Sequence, residues 1–119
     1  MSALHILLVE DNEADIMITQ RALREGKIEN TLSIVNDGVD AIDFLKKQGP
    51  FADRQRPDII LLDLNMPKKD GHQVLAEIRS DENLQNIPVI ILTTSYTDRD
   101  IVKAYKLRVN GYIKKPVDT

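Results

Sequence analysis

The sequence contains no cysteine and no tryptophan. Without cysteine there is no disulfide framework, no thiol nucleophile and no zinc–thiolate centre. Without tryptophan, no intrinsic indole fluorescence can report on a ligand. No apolar run approaches the length that spans a bilayer, and the N-terminal MSALHILLVED lacks the layout of a signal peptide. A cytoplasmic location with no membrane contact is therefore expected. The net charge is −3, with acids and bases interspersed, so no basic face offers itself to nucleic acid. No G-x-G-x-x-G turn follows any apolar run, which argues against a dinucleotide site. Internal repeats, low-complexity tracts and interdomain linkers are missing too. The two histidines, His5 and His72, stand apart and read as neither ligands nor catalytic bases.

What remains is the composition of an ordinary globular protein, 42% apolar and 29% charged, in 119 residues that make one domain. The stretch IILLDLNMPKKDG, residues 59–71, organises it. Four aliphatics run into Asp63, then into a loop containing proline and glycine. Such a run bounded by turn signals reads as a strand buried on both faces. Asp63 falls at its carboxyl end, where open α/β sheets bind ligands. A carboxylate there is a nucleophile, a metal ligand or a helix cap. Asp70, just ahead of the next helical run, is the better cap.

Leu4–Val9 is a first strand, followed by the acidic pair Glu10-Asp11. Asn12 caps a helix to about Glu25, with Asp15 favouring its positive end and Gly26 stopping it. Ala14, Met17, Ile18 and Ala22 make one stripe at helical spacing, expected to face the sheet, with Ile16 and Leu23 on the other side. Thr31–Val35 reads as a short, more polar strand suited to an edge. A turn at 36–38 leads into a helix to about Lys47, with Ala41, Ile42 and Leu45 inward, and residues 48–57 form a surface loop. After Asp63 come a helix from Gly71 to about Asp81, a buried strand VIILT (89–93), and a helix opened by Thr97 with Asp100. That helix reaches about Leu107, with Ile101, Val102 and Tyr105 inward. Asn110-Gly111 turns into a last strand, Tyr112–Lys114. Strands separated by helices pair in parallel with right-handed crossovers, which predicts a doubly wound parallel α/β sheet.

In such a sheet Glu10-Asp11, Asp63, Thr93 and Lys115 each follow a strand's apolar run, so all gather at one edge. Adjacent acids repel, and without a cation at least one should hold a raised pKa. Oxygen ligands without His or Cys select a hard cation, Mg²⁺ above all. A carboxylate beside it can attack a phosphoryl group while Lys and Thr steady the equatorial oxygens. The chemistry read from the residues is formation of an acyl phosphate on an aspartate.

On these marks, Glu10-Asp11, Asp63, Thr93 and Lys115-Pro116 in order at successive strand ends, the chain resembles the receiver domains of bacterial two-component response regulators. The resemblance covers Leu4 to Asp118 and implies a flavodoxin-like fold with five parallel strands in the order 2-1-3-4-5. It implies that Asp63 accepts a phosphoryl group from a histidine kinase's phosphohistidine. Asp11 and Asp63 would ligate Mg²⁺, Asn65 giving its backbone carbonyl and Glu10 acting through water, with Thr93 and Lys115 on the phosphoryl oxygens. Tyr112 matches the family's switch aromatic, and Asn65 and Ser95 fall where hydrolysis is tuned. The 48–57 loop, the LTTS run and YIKKPVD are similar to single-domain regulators paired with phytochrome-type kinases. A sensor kinase or phosphotransfer protein upstream and a protein target downstream are the implied partners.

Receiver domains usually end in a fifth helix, for which only Val117 to Thr119 remain. The expectation is that the final helix is missing from this chain and that no output domain follows; either the chain is truncated, or self-association as a homodimer or another subunit covers the gap, with Ile16 and Leu23 as surface that helix would have touched. Taken singly, the marks have plainer readings: Glu10-Asp11 as helix-end charges, Thr93 as a buried strand threonine, Lys115 as a solvated loop lysine, Tyr112 as a core aromatic. Two other functions compete. A Mg²⁺-dependent phosphohydrolase using Asp63 would want a second aspartate two residues on, where Asn65 stands. A docking module would keep the acidic pocket as a vestige.

Overall fold

A computed structural model describes residues 3–64, 66, 68–93 and 106–115. Asn65, Ser95, Pro116, the chain's end and, up to residue 105, the helix expected from Thr97, with Ile101, Val102 and Tyr105, lie outside the described residues. The elements are β1 (Leu4–Val9), α1 (Glu13–Glu25), β2 (Asn30–Val35), α2 (Gly38–Leu45), β3 (Ile59–Asp63), α3 (Gly71–Ser80), β4 (Val89–Thr93) and β5 (Gly111–Lys114). The strands form one sheet in the order β2-β1-β3-β4-β5, with all four pairings parallel. This is the doubly wound arrangement expected from the sequence, and the polar strand β2 takes an edge.

Period-2 alternation sorts the aliphatics between the two faces. Leu7 and Val9 of β1, Ile60 and Leu62 of β3, and Val89 and Ile91 of β4 pack beneath α2 and α3, which contribute Ala41, Ile42, Leu45, Val74, Leu75 and Ile78. Ile6, Leu8, Leu61 and Leu92 form the core of the other face, where Ile16 and Leu23 of α1 pack. The registers Leu8↔Leu61 and Leu62↔Ile91 hold each set in line across the central strands.

The caps expected at Asn12 and Asp70 are present. Asn12 accepts from the Asp15 amide at the start of α1. Asp70 and Gln73 bond reciprocally at the start of α3, a complete capping box. Asp37 proves to be the cap of α2, so the turn at 36–38 is the helix start itself. The 48–57 connection contains a 3-10 turn, Gly49–Phe51, whose Phe51 ring lies 5.5 Å from that of Phe44. Among the described residues, no helix is long and apolar enough to cross a membrane.

The orientation of α1 corrects the sequence reading. Met17 is 65% and Ile18 38% exposed, and Ala14 is exposed as well. The buried face is instead Ile16, Thr19 and Leu23, at spacings of three and four, with Thr19 only 2% exposed. Ile16 and Leu23 therefore cover the sheet and are not a surface left for a further helix. The apolar stripe was misjudged because a threonine sits at the middle of the true one, and because a helix's rotation about its axis is set by what it lands on.

Candidate functional site

Three strands deliver acidic or basic side chains to one edge, and the backbone around them explains the placement. Glu10 directly follows β1. Its amide donates to the Val35 carbonyl, and its own carbonyl accepts from Asn36 Nδ2 at 3.0 Å, so the turn after β1 is held against the end of β2. Asp63 closes β3 opposite Leu92 of β4. The chain returns at once to α3, where the Gly71 amide bonds the Leu64 carbonyl. A Cβ on Gly71 would lie 2.5 Å from the Asp63 carbonyl oxygen, so only glycine lets the helix begin this close to that strand end. Lys115 follows β5 and donates its amide to the Thr93 carbonyl at 2.8 Å, which ties the ends of β4 and β5 together.

The side chains converge as the order of strands demands. One carboxylate oxygen each from Glu10, Asp11 and Asp63 lies within 4.8 Å of the other two. Glu10 and Asp63 are buried and Asp11 is exposed, giving a site with one open side. The Lys115 Nζ is 2.5 Å from Glu10 Oε1 and 3.3 Å from Asp63 Oδ2. The cleft over these groups has a volume of about 460 Å³ and is also bordered by Asn12 and Asp15. A larger hollow of about 600 Å³ lies near the strands' amino ends, between the end of α1 and the start of β2. Among the described residues no carboxylate trio gathers there, and it is the wrong end of a parallel sheet for chemistry.

Burial is the main reason that the Glu10 carboxyl is pushed up from 4.5 to about 7; the Lys115 bond opposes this and the neighbouring Asp63 carboxylate adds to it. Burial alone would lower the Lys115 pKa. Its bonds to Glu10 and Asp15 and the charges of Asp63 and Glu10 outweigh that and raise it, so the ammonium stays charged. One acid of the trio is raised, as expected, but burial contributes more to this than the neighbouring carboxylate does. The donor set is all oxygen with no soft ligand, and three carboxylates whose oxygens lie within 4.8 Å of one another fit a small hard divalent cation.

Thr93 is fully buried at the end of β4. Tyr112, on β5 opposite Ile91, is half-buried and packs against the core beneath α2 and α3. Glu10, Asp11, Asp63 and Lys115 are brought together as the sequence predicts, with Thr93 at the adjoining strand end. Sequence reasoning missed one participant. Asp15, read only as a helix-end charge, places Oδ2 3.1 Å from Lys115 Nζ across 100 residues of sequence. Its position on α1, one turn ahead of buried Thr19, was the available signal.

Comparison with known proteins agrees with this geometry. The family model described as the response regulator receiver domain matches residues 6–119. Response regulator Rcp1 of Synechocystis is 48% identical over 110 residues, covering 92% of this chain and 75% of Rcp1. The Mn²⁺-bound structure of Rcp1 superposes with a TM-score of 0.90 at 46% identity, over 97% of this chain and 83% of that one. The phosphorylated cyanobacterial phytochrome response regulator RcpA gives a TM-score of 0.91 at 48% identity, over 98% and 84%. The receiver domain of the Pseudomonas aeruginosa sensor kinase PA1611, with magnesium in its active-site cleft, gives 0.80 at 32% identity, over 98% and 88%. A parallel sheet that gathers three acids and a lysine at one edge, matched over nearly its whole length by these proteins, belongs to the response regulator receiver domains, the phosphorylation-activated modules of two-component signalling.

Proposed function

We propose that Asp63 is the phosphoacceptor and that residues 1–119 act as a single receiver domain. The observation that carries this is the position of Asp63: buried at a strand's carboxyl end, within 4.8 Å of two other carboxylates and 3.3 Å from an ammonium group. An Asp63 carboxylate oxygen attacks phosphorus, the bond from phosphorus to a histidine nitrogen of the donor breaks, and that imidazole leaves with the electron pair. Lys115 and Thr93 bind the equatorial oxygens, where charge accumulates. Glu10, Asp11 and Asp63 would hold Mg²⁺, completed by the Asn65 carbonyl, with Glu10 working through water. Bound there, Mg²⁺ would supply positive charge that offsets the repulsion between anionic donor and anionic acceptor.

Hydrolysis returns the carboxylate and releases phosphate. Asn65 and Ser95 set its rate by controlling the approach of water. Self-phosphorylation and this slow hydrolysis are the domain's own chemistry, with no external substrate turned over. Thr93 and Tyr112 carry the switch: a phosphoryl group on Asp63 draws the threonine inward and the tyrosine follows, shifting a two-state equilibrium toward the form that binds a target protein. The donor is a cytoplasmic sensor histidine kinase of the phytochrome type, or a phosphotransfer protein. Support for the phytochrome assignment comes from the similarity to RcpA, a phytochrome response regulator.

Intact-mass spectrometry after incubation with acetyl phosphate tests the reading. One phosphoryl adduct is expected in the presence of Mg²⁺, none with chelator, and none in Asp63→Asn. An adduct of equal yield on folded Asp63→Asn would overturn it, as would turnover of a chromogenic phosphate ester.

A further inference from the structure

Lys115 is shared unequally among carboxylates on three elements. Its Nζ lies 2.5 Å from Glu10, 3.1 Å from Asp15 and 3.3 Å from Asp63. The most distant of the three is the residue on which the phosphoryl group is proposed to form. Asp15 alone among them stands outside the trio of acids that fits a cation. It is also the only one on a helix, in the first turn of α1, with its side chain 24% exposed against 7% for Lys115.

We propose that Asp15 is a latch on Lys115, holding the ammonium group on the α1 side of the site until a phosphoryl group stands on Asp63. The inference rests on the phosphoacceptor reading above. A divalent cation held by Glu10, Asp11 and Asp63 would offset two of their three negative charges and none of the charge on Asp15, which would gain weight as a partner of Lys115. Phosphorylation then puts nearly two negative charges and several acceptor oxygens where Asp63 had one charge. Lys115 has three donors on a flexible stem. It follows the larger charge, and the bond to Asp15 is weakened or lost. A contact made in one state and not in the other stabilises only the first, so Asp15 biases the domain against its phosphorylated form. Asp15 is thus a positioning residue that acts through Lys115. Its rotation toward the site follows from the buried face of α1, since Asp15 lies one turn before Thr19 on that face.

The alternative is that Asp15 serves only the helix dipole, as exposed Glu13 in the same turn can. Titration with beryllium fluoride, a phosphoryl mimic, in saturating Mg²⁺ separates the two. Calorimetry supplies the affinity, and two-dimensional NMR spectra verify that each variant is folded. Asp15→Asn should bind the mimic more tightly than wild type, by roughly three- to fivefold, the upper range for a solvent-accessible ion pair. Asp15→Glu, which can keep the contact, should return to the wild-type affinity. Glu13→Gln, which removes the same charge from the same turn without touching Lys115, should leave it near wild type. Should Asp15→Asn fold poorly, Asp15→Ser, equally at home near a helix start, carries the same expectation. Unchanged or weaker binding by folded Asp15→Asn or Asp15→Ser would overturn the latch while leaving the phosphoacceptor reading intact. Equal tightening in Glu13→Gln would overturn it in favour of a general charge effect. A wild-type protein that neither binds the mimic nor gains an adduct from acetyl phosphate would overturn both.

Discussion

Gly38 and Lys69 meet backbone to backbone: a Cβ on Gly38 would lie far inside van der Waals contact with the Lys69 carbonyl oxygen and 2.7 Å from the Lys69 Cβ. The start of α2 is thereby pressed against the loop that follows Asp63. Lys68, in the same loop, reaches back to the α2 cap, with Nζ 3.2 Å from Asp37 Oδ2. The loop beside the acidic site is thus seated on a neighbouring helix start that has room only for hydrogen.

Gly38→Ala should therefore act on both stability and the site. The added methyl must displace Lys69 backbone, and overpacking of this kind costs about 1–3 kcal/mol. Urea denaturation should show the loss, and calorimetric Mg²⁺ titration should show weaker binding, because the displaced loop continues from Asp63. Unaltered Mg²⁺ affinity in a destabilised variant would confine the contact to a structural role.

Asp37 caps α2 through the Asp40 amide at 2.8 Å. That bond, with the Lys68 ammonium second to it in favouring the charge, holds the Asp37 carboxyl below its usual 3.8. Asp37→Ala should cost about 1 kcal/mol, typical for a lost helix cap. The folded-state pKa is depressed, so this contribution is fully present above pH 3.8 and fades as pH falls through the folded value. The stability gap between wild type and variant should be constant at neutral pH and close in strong acid, as thermal melts at a series of pH values would reveal.

Metal-free protein should lose stability as pH rises from about 4.5 to about 7. Glu10 ionises near 4.5 when unfolded and near 7 when folded, so within that window the folded chain binds the extra proton. Stability falls with pH wherever the folded state holds more protons. Chevron or urea midpoints in chelator at pH 5 and pH 7.5 should differ in that sense, and Glu10→Gln should flatten the trend. Saturating Mg²⁺ should flatten it as well, since a cation favours the ionised carboxylate.

Arg79, near the end of α3, clasps two further chain segments. Its guanidinium donates to the carbonyls of Gln85, Ile87, Leu107 and Arg108 and to Asn110 Oδ1. Asn110 Oδ1 in turn accepts the Val89 amide at the start of β4. Truncation to Met keeps the stem and abandons every acceptor, which should cost about 2–4 kcal/mol. Arg79→Lys should recover only part of this, because one ammonium cannot reproduce the planar fork. Hydrogen exchange should localise the effect to the start of β4 and the turn before β5.

Much of this protein was determined by the sequence alone. Aliphatic runs such as Ile59–Leu62 and Val89–Leu92 can be satisfied only within a sheet covered on both faces, and the intervening helices force parallel pairing. Parallel pairing sends every strand's carboxyl end to one edge, so Glu10, Asp11, Asp63 and Lys115 had to meet. The caps at Asn12 and Asp70 were legible because capping is local chemistry.

Tertiary structure decided what local pattern leaves degenerate. Helix α1 carries apolar residues on two sides, and only docking against Leu8, Leu61 and their neighbours selected Ile16 and Leu23 over Met17 and Ile18. That rotation is what turned Asp15 toward Lys115. The same holds for the seat of Lys69 on Gly38 and the clasp of Arg79 on the turn before β5. Each joins residues far apart in the chain, through directions that exist only after the sheet has formed and the helices have come to rest on it.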